Sequence, residues 1–161
     1  MKQSILVLLT VISTFISPVP AFAATVNLVS FGSVWKYLDN GSDQGTAWRA
    51  PGFNDGAWAS GPAQLGYGDG DEATIVSFGP DSANKYITTY FRRTFNVSNV
   101  SSYTNLAVQL LRDDAGVVYL NGTEIFRSPN LPAPPTAITS GTLATGAAVE
   151  NFLDVAQVNG A

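Results

Sequence analysis

Short runs in which apolar and polar residues alternate recur along the chain, separated by clusters of Gly, Asn, Asp and Ser. A period of two is the mark of half-buried β-strands joined by turns, and no run sustains the 3.6-residue period of an amphipathic helix. The sharpest instance is residues 113–127 (DDAGVVYLNGTEIFR). Asn121 and Gly122 both tolerate positive φ, so they predict a two-residue type I′ turn and a β-hairpin. Counting outward pairs Leu120 with Thr123, Tyr119 with Glu124, Val118 with Ile125 and Val117 with Phe126. Leu120, Thr123, Val118 and Ile125 then share the more apolar face, which is expected to point into a sheet-on-sheet core.

The same period predicts strands over residues 25–31, 34–38, 73–78, 85–97, 106–111 and 148–155. Residues 39–45 (DNGSDQG) and 79–83 are turns, and 129–135 (PNLPAPP) is a loop, because proline cannot donate to a strand ladder. Residues 46–72 carry Trp48, Phe53, Trp58, Leu65 and Tyr67. Such a load of large side chains is costly to leave in water, so this stretch reads as ordered loop, with one helical turn over 53–58 capped by Asn54 or Asp55. In 85–97, Ile87, Phe91, Phe95 and Val97 fall on one face together with Arg93. A buried Arg93 would need a carboxylate, and Asp113 or Asp114 is the expected partner. The count is roughly eight or nine short strands, which makes the chain all-β and predicts a β-sandwich or jelly roll.

The first 24 residues change the address rather than the fold. Lys2 supplies a positive start, residues 5–16 an apolar core, and Ala21-Phe22-Ala23 a small-residue cleavage signal. Residues 1–24 are therefore expected to be a signal peptide, leaving 25–161 as one domain of an exported protein with no membrane anchor after cleavage. That domain of 161 − 24 = 137 residues is long enough for a single core. Removing Lys2 leaves 7 basic against 12 acidic residues, from 8 and 12 in the whole chain. A surface near −5 with no basic run repels phosphate backbones, so nucleic acid is not an expected partner. There is no Cys and no His. Stability must then come from burial, with a structural ion as one aid, and the commonest general base is missing.

Several segments together resemble the galactose-binding-like jelly-roll modules of secreted bacterial multidomain proteins. They are Trp35, then residues 48–58 (WRAPGFNDGAW), 63–68 (AQLGYG), 90–95 (YFRRTF) and 113–122 (DDAGVVYLNG), in that order. The resemblance covers roughly residues 31–155. It implies a jelly-roll β-sandwich, a secreted, periplasmic or cell-surface location in a bacterium, and a place beside a catalytic or surface domain. It also implies a further apolar strand after residues 152–160, so the expectation is a domain lacking its C-terminal strand, with an open β-edge.

The residues themselves suggest three chemistries. Trp48, Arg49 and Tyr67 could bind carbohydrate, since a pyranose stacks on a flat aromatic face while charged neighbours take its hydroxyls. Trp35 and Trp58 read instead as plugs at the end of the sandwich. Asp69, Asp71 and Glu72, in the Gly-rich segment 68–72, offer the hard oxygens that Ca²⁺ prefers, although the same residues suit a solvated acidic turn. A hydrolase acting alone would have to use Asp71, Asp113 or Asp114, and adjacent carboxylates on a strand point to opposite faces unless a turn brings them together. Four Asn-x-Ser/Thr sequons begin at Asn40, Asn96, Asn99 and Asn121. Asn121 is better explained as a turn residue, and the sequons are set aside. The expected function is a non-catalytic extracellular accessory module that binds carbohydrate or packs against a neighbouring catalytic domain.

Overall fold

The structure is a computed structural model, described here for residues 25–146 and 152–158. The expected signal peptide lies outside these residues, as does the start of the strand expected over 148–155. The described residues are all-β with two short 3-10 turns, Ala47–Arg49 and Val100–Ser102. Among the described residues nine strands form four small sheets. β1 (Val34–Leu38) is the centre of a three-stranded antiparallel sheet, flanked by β2 (Ala59–Pro62) and β5 (Tyr90–Arg92). β3 (Leu65–Gly66) and β4 (Thr74–Ile75) make a short parallel pair. β6 (Leu106–Arg112) pairs antiparallel with β9 (Phe152–Val158), and β7 (Val117–Leu120) with β8 (Thr123–Arg127).

The hairpin forms where the alternation places it. Asn121 has φ 51° and Gly122 φ 86°, the two positive angles a type I′ turn requires. Leu120 faces Thr123 and Tyr119 faces Glu124, but Val118 then pairs with Phe126 and Val117 with Arg127. A bulge at Ile125 inserts one residue into β8 and shifts the register beyond it, so the expected Val118–Ile125 pair does not form. The base of the hairpin is fastened by Ser128, which is 1% exposed. Its Oγ accepts from the Gly116 N–H at 2.8 Å and donates to the Gly116 carbonyl at 3.0 Å.

The segment 85–97 departs most from its alternation. Only Tyr90–Arg92 is strand, because β1 offers partners to those residues alone (Leu38 to Tyr90, Tyr37 to Phe91, Lys36 to Arg92). Upstream, the Tyr86 N–H bonds the Phe78 carbonyl at 2.9 Å and the Thr88 hydroxyl donates to the Ser140 carbonyl at 2.8 Å. These loop contacts satisfy the chain without a ladder. Burial does not follow the apolar row: Tyr90, on the other face, is 5% exposed, whereas Phe95 is on the surface. Arg93 is exposed and donates to the Val34 carbonyl, not to Asp113 or Asp114. The enclosed arginine is Arg92, which meets Asp55 at 2.9 Å with its own side chain only 10% exposed.

Two smaller expectations are also corrected. Residues 25–31 have no strand partner among the described residues, and Val26 and Phe31 are exposed. The turn over 53–58 is a β-turn, with the Trp58 N–H on the Asp55 carbonyl at 3.0 Å and the Asn54 side chain accepting from Gly56 at 3.0 Å. Asn54 thus closes its own loop and does not start a helix. The buried apolar side chains among the described residues are Trp58, Val76 and Tyr90. Trp58 is buried, at 7% exposed, while Trp35 is only half-buried.

Candidate functional site

Trp48 and Arg49 lie in the Ala47–Arg49 turn, whose last residue is basic, as suits the carbonyl end of a helical turn. Three distant pieces of chain converge on this turn. The Trp48 ring meets Tyr90 of β5 edge to face (centroids 5.1 Å, 68°) and Tyr119 of β7 likewise (5.7 Å, 86°). The Arg49 guanidinium sits 4.2 Å from the Tyr119 ring centroid and 5.9 Å from that of Trp48. Cations over aromatic faces contribute about 0.5–1 kcal/mol each at partly exposed positions. Arg49 Nη2 donates to the Ile138 carbonyl at 3.3 Å, whereas its Nε is enclosed with no hydrogen-bond partner.

The row continues inward. Tyr90 lies 6.2 Å from Trp58, and Trp58 5.7 Å from Phe53. Arg92 stacks 5.2 Å from the Phe53 centroid while donating to the Trp48 and Ala50 carbonyls. On the hairpin side, Arg127 grips Glu124 with two bonds, at 2.7 and 2.8 Å. Burial pushes the Tyr119 hydroxyl up from its ordinary pKa, Arg49 beside it opposes that, and Glu124 adds to it. Sequence reasoning found Trp48 and Arg49 but not Tyr119, Glu124 and Arg127. The available signal was the Tyr119–Glu124 cross-strand pair, which puts an aromatic and a carboxylate on the less apolar face of the hairpin.

Tyr67 belongs to a different group. Its ring meets Phe78 at 5.2 Å, and the Lys85 ammonium lies 4.8 Å from its centroid. Burial raises the Tyr67 pKa, and the Asp114 and Asp113 charges raise it further. Asp113 itself is raised, first by burial and then by Asp114 and the more distant Asp69, with Lys85 working the other way. The turn therefore draws the adjacent carboxylates Asp113 and Asp114 into one electrostatic neighbourhood with the 68–72 loop, which two side chains on one straight strand would not share.

In that loop, carboxylate oxygens of Asp69, Asp71 and Glu72 lie within 4.8 Å of one another. Glu72 turns both oxygens to amides of its own loop, accepting from the Asp69 N–H at 3.0 Å and the Gly70 N–H at 2.9 Å. The Asp69 amide above all, with the Glu72 and Gly70 amides, holds its pKa below the ordinary carboxylate value. Asp71 accepts from the Gln64 side chain at 3.3 Å. Ca²⁺ takes about six to eight oxygens. With Glu72 committed to the amides, the three carboxylates do not by themselves close such a shell, and the turn has its own reason to be acidic.

Of the three residues expected to bind sugar, Trp48 and Arg49 thus share contacts with Tyr119, whereas Tyr67 contacts Phe78 and Lys85. Two surface depressions lie elsewhere. One, of about 380 Å³, runs along β8 and residues 128–134; the other, of about 450 Å³, lies between residues 41–42, 80–88 and 140–141. Trp48, Arg49 and Tyr67 line neither. No helix among the described residues is long and apolar enough to cross a membrane. No family model matches the chain, and neither does any curated protein or solved structure.

Proposed function

We propose that the chain is a non-catalytic accessory module of an exported protein, and that it works by packing one face of the β6–β9 ribbon against a neighbouring catalytic or surface domain. The carrying observation is the outer face of that ribbon. Register puts Leu111 opposite Leu153, Gln109 opposite Val155 and Ala107 opposite Gln157, so these six side chains share one face, and none is charged. Leu153 is 43% and Val155 61% exposed. Edge ribbons that must stay in water carry charges as protection against association, and this face has none. The opposite face is closed by the Arg112–Asp154 ion pair, whose side chains are 8% and 13% exposed. The proposed architecture is a galactose-binding-like jelly roll, supported by the all-β strand set and by the sequence resemblance.

Carbohydrate binding is the second reading, favoured by the half-buried Trp48 and Tyr119 beside Arg49, Glu124 and Arg127. It is the weaker one because both rings are already engaged edge to face and Arg49 covers Tyr119. The test is a pair of titrations on the isolated chain. A dye that fluoresces on apolar surface should bind, and Val155→Lys should reduce that signal while simple sugars leave the Trp fluorescence unchanged. Saturable sugar binding lost in Trp48→Ala, with dye binding indifferent to Val155→Lys, would replace packing by carbohydrate recognition.

A further inference from the structure

We draw no further inference here: the strongest candidate, the Asp69, Asp71 and Glu72 carboxylate cluster in the loop between β3 and β4, is an acidic turn whose Glu72 already serves the Asp69 and Gly70 amides, and no second feature of the described residues points to a bound ion.

Discussion

Around the β2–β1–β5 sheet, Trp58, Tyr90 and Trp48 meet ring to ring and Arg92 ties Asp55 to the carbonyls of Trp48 and Ala50. On the β6–β9 ribbon the inward face is closed by Arg112 and Asp154, while Val155 on the outward face is 61% exposed. The first region buries large side chains by drawing loops over a short sheet. The second has seven residues of regular ladder and an uncharged face on which Leu153 and Val155 are exposed. Ladder length and burial are thus separate matters. A strand of three residues can sit at the centre of the packing, and one of seven can remain half dressed.

Substitutions that separate the two regions follow from this contrast. The largest effect is expected for Arg92→Ala, which leaves Asp55 unpaired and two carbonyls without their donor. We expect a loss of about 3 kcal/mol in urea unfolding, the low end for a broken buried pair, because Asp55 stays 26% exposed. A loss within about 0.5 kcal/mol, the range of ordinary surface changes, would show that the arginine is dispensable to the aromatic centre.

Next is Gly41→Ala in the loop after β1. Gly41 has φ +74°, and an added Cβ would stand 2.5 Å from the Tyr86 ring. Overpacking and a strained φ together should lower stability by about 1–3 kcal/mol, read as a shifted urea midpoint with unchanged slope. Tyr90→Phe removes the hydroxyl that accepts the Gln44 N–H at 3.2 Å. The expected loss is about 1 kcal/mol, with the aromatic contacts retained. In contrast, Val155→Lys on the ribbon should stay within about 0.5 kcal/mol in the isolated chain, since that side chain is already in water. A loss as large as that of Arg92→Ala would mean that the ribbon's outer face supports the fold directly.

The smallest effect is local. Glu72 has a folded pKa below its unfolded value, so its hold on the Asp69 and Gly70 amides is complete above the ordinary carboxylate range and is lost as pH falls through the folded pKa. The two amide resonances should move together on acidification and cease to do so in Glu72→Gln. If they keep their acid titration in that variant, another carboxylate holds the loop.

Much of the β architecture was legible because it is local. The Asn121–Gly122 turn, the strands at Val34–Leu38 and Leu106–Arg112, and the proline loop each follow from side-chain period or backbone permission within a few residues. Where the reading failed, the outcome depended on partners far away in sequence. Nothing in 85–97 says that β1 offers a ladder to residues 90–92 alone. Nor does alternation reveal that a tyrosine and an arginine, Tyr90 and Arg92, occupy the inward face. Their polar ends are satisfied by Gln44, Asp55 and loop carbonyls that only the folded chain assembles. The site divided for the same reason. Trp48 and Tyr67 look alike in sequence, but one is claimed by Tyr90 and Tyr119 and the other by Phe78 and Lys85.

The most direct test of the packing role uses the absence of cysteine from the chain. Val155→Cys then carries the chain's one thiol, whose rate of alkylation can be compared between the isolated chain and the protein as its host cell produces it. The account predicts fast labelling in isolation and strong protection in the host-produced protein, with labelling restored when the proposed neighbouring domain is unfolded. Equal, fast labelling in both would contradict it, because the uncharged face of β6–β9 would then be left in water where the protein does its work.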